Sequence, residues 1–160
     1  HDINIWQGEH DGYKPIAHKR TVLALDDGRW VVIDNLNSNE SHHYSLHWLL
    51  ADGEYGTQKL ASGNSLWLKP FGSKLPDSKL NIQMGMTEGV GNFSLVRADP
   101  NSMRGWRSSY YGHKEPAISV MLEANQKNVT FWTFFGFEND VVELTKDSLK
   151  IGSRVINMSF

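Results

Sequence analysis

The part of the chain richest in groups that could do chemistry lies near its start, where two histidines flank an acid and a tyrosine. These residues are His10, Asp11, Tyr13 and His18, with Arg20 shortly after them. A histidine and a tyrosine are the pair that β-elimination on a uronic acid would use, one to take the C5 proton and one to protonate the leaving oxygen. The competing interpretation is structural: an Asp-Gly turn, a core tyrosine, and basic residues that end a sheet. The structural interpretation is favoured, so we assign no catalytic residue here.

A second candidate region is the connection from Asp99 to Pro116, which is longer than an ordinary hairpin loop. Its candidate side chains are Arg104, Trp106, Arg107, Tyr110 and His113. Two arginines beside a tryptophan could hold a uronate or a sulfate next to an aromatic platform, although an arginine that packs across a sheet end is the alternative. Most other tryptophans alternate with aliphatic residues and are interpreted as core, Trp67 among them.

Seven histidines raise the question of a metal site. His43 and His47 share a strand face, but four residues of extended chain put them roughly 13 Å apart, whereas the ligands of one zinc ion lie about 2.0 to 2.1 Å from it. No HxH or HExxH spacing occurs. We therefore predict no metal site and no cofactor, and interpret His47 as a surface or interface residue.

Composition indicates one soluble domain over residues 1–160. The chain has 39% hydrophobic and 21% charged residues, and no apolar run approaches the roughly 18 residues of a membrane span. The net charge of -2 gives no field that would attract nucleic acid. The absence of cysteine excludes disulfides and a thiol nucleophile. We predict no nucleic-acid partner and no membrane span.

The hydrophobic pattern is that of an all-β protein, because apolar and polar residues alternate over short runs that Gly, Asn, Asp or Pro interrupt. We predict an antiparallel β-sandwich of two packed sheets with hairpin connections and about ten to twelve strands. Asp26-Asp27-Gly28 predicts a hairpin between strands 18–25 and 29–36. Polar residues 37–41 and 125–128 are predicted turns, and the strand over 129–137 is apolar on both faces, as in a central strand. Leu80 to Met86 is predicted to have one buried and one solvated face. Pro70 to Ser78 is a predicted surface loop, and Leu149 to Met158 is the predicted final strand.

Several short motifs follow one another in a fixed order. They are His10-Asp11-Gly12-Tyr13, His18-Lys19-Arg20, Trp30-Val31-Val32-Ile33-Asp34, His47-Trp48-Leu49-Leu50, the run from Gly105 to Ala117, and Phe131-Trp132-Thr133. Their order and spacing resemble the C-terminal β-sandwich region of the heparinase II/III-like family of polysaccharide lyases, over nearly the whole chain.

The resemblance implies an α/α toroid upstream of His1, docked on an antiparallel sandwich, with an acidic polysaccharide cleaved by β-elimination between them. The family's HxH segment, with its following acid and histidine, is absent from this sequence, so none of the family's catalytic residues can be placed here. We therefore expect the supporting C-terminal domain of a bacterial lyase that acts on uronate-containing glycans, secreted or periplasmic. The alternative is a non-catalytic carbohydrate-binding or scaffold module.

The expected partners are thus an acidic polysaccharide and the upstream toroid of the same protein. The candidate substrate-binding or interface residues are His10, Tyr13, His18, Arg20, His47, Arg104, Trp106, Arg107, Tyr110 and His113.

Overall fold

A computed structural model describes residues 3–72, 79–145 and 147–158. They form thirteen strands and no helix, and hence no helix long and apolar enough to cross a membrane. The strands are β1 (Ile3–Tyr13), β2 (Ile16–Leu25), β3 (Trp30–Leu50), β4 (Gly53–Leu60), β5 (Gly63–Pro70), β6 (Leu80–Met86), β7 (Asn92–Arg97), β8 (Trp106–Arg107), β9 (Glu115–Pro116), β10 (Ile118–Phe137), β11 (Val142–Leu144), β12 (Ser148–Ile151) and β13 (Arg154–Asn157).

Eight of these strands form one antiparallel sheet, in the order β1-β2-β3-β10-β6-β5-β4, with β7 also paired to β10. Strands β11, β12 and β13 form a second sheet, and β8 pairs with β9 in a short ribbon. The all-β antiparallel sandwich predicted from the sequence is confirmed.

The long strands β3 and β10 pair with each other along most of their length and carry the other strands of the main sheet. Strand β2 pairs with the first half of β3, β6 pairs with the second half of β10, and β7 pairs with the first half of β10. The predicted turns at 37–41 and 125–128 are wrong, because both segments lie inside these continuous strands. The two segments face each other at a register shift in the β3–β10 pairing. Asn37 pairs with Asn128 and His42 with Gln126, so five steps along β3 lie opposite two steps along β10.

Two cores lie on opposite faces of the second half of β10. Phe131 packs into a core formed with β3, β5 and β6, whereas Trp132 and Phe134 pack into a core formed with β2, β3 and the small sheet. Because side chains alternate along a strand, burial on both faces requires apolar residues at successive positions. The predicted two-faced central strand is therefore confirmed.

Two predictions about the faces of β5 and β6 are wrong. Trp67 does not pack inward but is 38% exposed, because Leu66 and Leu68 on either side of it occupy the inward face of β5. The polar face of β6 is buried rather than solvated, since the turn after β10 covers it. Asn81 and Gln83 both donate their side-chain amide hydrogens to the carbonyl oxygen of Asp140 in that turn.

The predicted final strand from Leu149 to Met158 is divided by a turn at Gly152, giving β12 and β13. The predicted surface loop from Pro70 to Ser78 begins instead with the last residue of β5 and a turn at 71–72, and its remainder, 73–78, lies outside the described residues.

Candidate functional site

A groove of about 590 Å³ opens beside the second half of β3. Strand β2 pairs with β3 only as far as Asn37, so within the described ranges no strand pairs with that side of residues 42–50. The side chains lining the groove include Tyr13, Lys14, His18, Arg20, Asp34, His43 and His47. The structure thus brings His18, Arg20 and Tyr13, from the first predicted cluster, together with His47 from β3.

Asp34 organises the polar end of this groove. Its carboxylate accepts hydrogen bonds from Nε and Nη2 of Arg20, at 2.6 and 2.9 Å, and faces Nε2 of His18 at 2.7 Å. The Asp34 side chain is 3% exposed, whereas that of Arg20 is 44% exposed. The hydrogen bond to Asp34 raises the pKa of Arg20, and the guanidinium also lies 5.8 Å from the ring centre of Trp48. Arg20 is therefore held in one orientation.

His10 and His18 form a hydrogen-bonded pair that ends on Asp34. The backbone N–H of Gly12 donates to Nδ1 of His10 at 3.2 Å, so neutral His10 carries its proton on Nε2. That nitrogen faces Nδ1 of His18 at 3.2 Å, which leaves the proton of neutral His18 on Nε2, pointing at Asp34. All four ring nitrogens are thereby occupied. The neutral pair leaves no imidazole lone pair free to take a proton from a substrate.

Tyr13 lies at the end of the first hairpin with its ring edge-on to His10, at a centroid distance of 5.0 Å. The structural interpretation of the sequence expected Tyr13 to pack in the core, but its side chain is 61% exposed and does not do so. Its position at the groove makes it available to a ligand or a neighbouring domain.

His47 is tied to the long connection through Ser119. Arg104 donates from Nε to Oγ of Ser119 at 3.0 Å, and that hydroxyl in turn lies 2.7 Å from Nε2 of His47. When the hydroxyl donates to Nε2, the proton of neutral His47 sits on Nδ1. Burial, and secondarily the charge of Arg104, lower the pKa of His47 and keep it neutral.

Arg104 holds strands together. Its guanidinium also donates to Oγ and O of Ser94 on β7 and to O of Ser119 on β10, at 2.9 to 3.3 Å. It is the sheet-spanning arginine that the sequence left as the alternative interpretation.

The other candidates in the long connection form a separate cluster. Arg107 pairs with Glu115 at 2.7 Å, and Tyr110 stacks on His113 at a centroid distance of 4.6 Å. Trp106 donates from Nε1 to the carbonyl of Asp99, and Nζ of Lys114 lies 3.9 Å from its ring centre. One face of that indole is therefore already occupied by a cation. None of these side chains lines the groove beside β3.

Sequence reasoning missed two residues that position this site, Asp34 and Ser119. A signal for Asp34 was present, because a hairpin through Asp26-Asp27-Gly28 places Arg20 opposite Asp34, and the structure has this register. The role of Ser119 could not be predicted from the sequence, since it depends on which strands flank β10. No three histidine, aspartate or glutamate side chains in the described parts of the chain converge as a metal-binding group.

Comparison with known proteins identifies the family. A family profile described as heparinase II/III-like, C-terminal, matches residues 1–146. A comparison with curated protein sequences gave no match.

The fold is similar to those of solved heparinases. A heparinase III gene product has 15% identity and a TM-score of 0.76, with 99% of this chain and 26% of that chain covered. A crystal structure of heparinase III has 11% identity and a TM-score of 0.75, with 98% of this chain and 25% of that chain covered. A mutant of the heparan sulfate lyase HepC from Pedobacter heparinus has 16% identity and a TM-score of 0.70, with 99% of this chain and 26% of that chain covered.

This chain therefore spans about a quarter of the length of those structures. Together with the profile match over most of its length, this shows that the chain belongs to the heparinase II/III-like family and corresponds to that family's C-terminal domain.

Proposed function

We propose that this chain is the supporting C-terminal sandwich of a polysaccharide lyase that cleaves acidic, uronate-containing glycans by β-elimination. In this proposal another part of the protein, an upstream α/α toroid with its adjoining catalytic segment, supplies the groups that move protons. The observation that carries the proposal is the closed hydrogen-bond chain from Gly12 through His10 and His18 to Asp34. A histidine pair arranged in this way positions other groups and lacks a free base.

The groove still offers hydrogen-bond donors to an acidic sugar. Arg20 uses Nε and Nη2 on Asp34, and among the described residues Nη1 has no acceptor. In the tautomer with its proton on Nδ1, His47 likewise has a hydrogen available, because among the described residues Ser119 bonds only Nε2. Two fixed donors beside one groove suit the carboxylate and hydroxyl oxygens of a uronate. Tyr13 and Lys14 at the rim can contact either the glycan or the adjoining domain.

The test compares the isolated chain with the natural protein that contains it. Each is incubated with a panel of uronate polysaccharides, and the unsaturated product is followed by its ultraviolet absorbance. We expect turnover by the natural protein and none by the isolated chain. Turnover by the isolated chain would overturn the supporting role, and absence of turnover by both would overturn the lyase assignment.

A second measurement tests the groove. In the natural protein, His47→Gln should raise KM several-fold with a smaller effect on kcat, because it removes a binding donor and no proton-transfer group. His113→Gln is the matched control, since His113 lies in the separate cluster of the long connection. Equal effects of the two substitutions would exclude the groove beside β3 from substrate binding.

A further inference from the structure

The outer face of β4, β5 and β6 carries a second groove, which the proposed function does not use. Its volume is about 350 Å³, within the range of small-ligand sites, and the turn at 138–141 closes one side. The inner face of β5 and β6 packs in the first core, so this groove lies on the face of these two strands that is turned away from that core.

Trp67 forms an aromatic platform in this groove. It is 38% exposed and lies beside Gly56 of β4, where an added Cβ would collide with the indole Nε1. The absence of a side chain at position 56 therefore lets the indole lie over its neighbouring strand. Nζ of Lys79 lies 5.1 Å from the ring centre, so a sugar that stacks on this indole displaces that ammonium group from the ring. A partly exposed indole supported by backbone offers a flat apolar surface to a ligand.

Amide side chains stand beside this platform. Asn81 and Gln83 line the groove although they are only 8% and 1% exposed. Their amide nitrogens bind the carbonyl of Asp140, and Oδ1 of Asn81 accepts from Ser65. Oε1 of Gln83 is buried without a hydrogen-bond partner in the described structure. A buried acceptor without a partner is costly, and a donor that enters the groove would relieve that cost.

The charges around the groove are paired. Lys79 bonds Glu138 at 3.1 Å, and Asp140 pairs with Arg29 at 2.8 Å. The other polar lining is uncharged and includes Gln58 and Asn139 at the exposed rim. Among the described residues this surface therefore has no unpaired cation for a carboxylate or sulfate, but it can exchange hydrogen bonds with hydroxyl groups.

We propose that this groove binds a neutral pyranose unit of a polysaccharide. One apolar face of the sugar stacks on Trp67, and its hydroxyl groups bond to the carboxamides of Gln58 and Gln83. The site is separate from the groove beside β3 and does not rest on the lyase proposal. Its ligand differs in charge from a uronate glycan.

The experiment measures the retardation of the chain in native gels that contain a neutral glucan, mannan or xylan, with a gel containing alginate for comparison. We expect retardation by at least one neutral polymer. Trp67→Ala should weaken that binding at least tenfold, and Gln58→Ala several-fold. Gly56→Ala should also weaken it, because the added methyl group displaces the indole without removing it.

Trp6→Ala is the matched control, since Trp6 is also an exposed tryptophan, at 52%, and does not line this groove. Thermal unfolding of each variant establishes that it is folded, and Trp67→Tyr, which keeps an aromatic ring, should retain part of the binding. The proposal fails if no neutral polymer retards the chain, if only alginate does, or if Trp67→Ala and Trp6→Ala behave alike.

Discussion

Arg20 and Asp34 lie directly opposite each other in the β2–β3 pairing and are joined by two parallel hydrogen bonds of 2.6 and 2.9 Å. Asp34 is buried and also holds His18, so one carboxylate fixes the orientation of two basic side chains that line the groove. Arg20 in turn lies against Trp48, in the part of β3 beyond the register shift. The ion pair thus connects the first hairpin to the second half of β3.

The first prediction concerns the loss of this carboxylate charge. Asp34→Asn should lower the free energy of unfolding by roughly 3 kcal/mol, because breaking a buried ion pair leaves the remaining charge without its partner. We take the lower end of the usual range because the Arg20 side chain is partly exposed. Denaturant titration at pH 7 measures the change.

Asp11→Asn is the control for that measurement. Asp11 pairs with Lys14, but both side chains are 76% exposed, so its loss should cost at most about 1 kcal/mol. Equal losses in the two variants would mean that Asp34 has no special structural role.

Much of the fold follows from local patterns in the sequence. The hairpin through Asp26-Asp27-Gly28 has the predicted location, and the burial of β10 on both faces follows from its apolar residues. These features depend on neighbours in the chain, through turn chemistry and the alternation of side chains.

The two long strands could not be predicted in the same way. Residues 37–41 and 125–128 are polar, as turns are, yet each lies in a continuous strand. Asn128 accepts a hydrogen bond from the backbone of Ser38, and Tyr44 donates to the carbonyl of Lys127. The polar segments thus satisfy each other across the register shift. That pairing joins residues about 90 positions apart, which no local pattern reveals.

The second prediction tests this register shift. Tyr44→Phe should cost about 1 kcal/mol of unfolding free energy, because it removes the hydroxyl that binds the Lys127 carbonyl while keeping the ring in the core. Tyr110→Phe should cost nothing measurable, since Tyr110 is 66% exposed. Denaturation of both variants side by side provides the comparison, and a neutral Tyr44→Phe would show that this hydrogen bond does not stabilise the joint.

The candidate site was predictable only in part. His18 and Arg20 were recognised by type and spacing, and strand pairing brings them near His47. The long connection holds side chains of equally suitable chemistry, but their partners lie within the connection itself. These side chains are Trp106, Arg107, Tyr110 and His113. Residue type indicates which chemistry is available, whereas the sheet topology decides which groups meet.

The third prediction concerns the pH dependence of stability. Burial and Arg104 lower the pKa of His47 in the folded state, so between that value and the ordinary value of about 6.5 the unfolded chain binds more protons. The contribution of His47 to the free energy of unfolding is therefore fully present above pH 6.5. It falls as the pH drops towards the folded-state pKa, because protons bind the unfolded chain more readily. His47→Gln should flatten the dependence of unfolding free energy on pH between 5 and 7.

An NMR titration of the His47 ring checks the same prediction directly. Its midpoint should lie below that of a histidine in a short peptide. Arg104→Gln should raise the midpoint, because it removes the second cause of the shift. A midpoint at or above the peptide value would contradict the argument.

The fourth prediction concerns Gly105, which holds the long connection beside Arg104. Gly105 has a φ of 80°, and its carbonyl accepts hydrogen bonds from the backbone N–H groups of Ala98 and Ala117. A Cβ there would lie 2.8 Å from the Ala98 nitrogen and 2.9 Å from the Val96 oxygen. Gly105→Ala should therefore cost about 3 kcal/mol, the upper end of the range for a strained backbone position.

Gly112→Ala separates the two causes of that cost. Gly112 has a similar φ of 77°, but no atom of the described residues lies within 4 Å of an added Cβ, so only the conformational cost of about 1 kcal/mol applies. Because Gly105 adjoins Arg104, its substitution should also shift the NMR titration of His47 towards higher pH, whereas Gly112→Ala should leave that titration unchanged. Equal stability losses and an unmoved His47 in both variants would show that the long connection does not position Arg104 against Ser119 and His47.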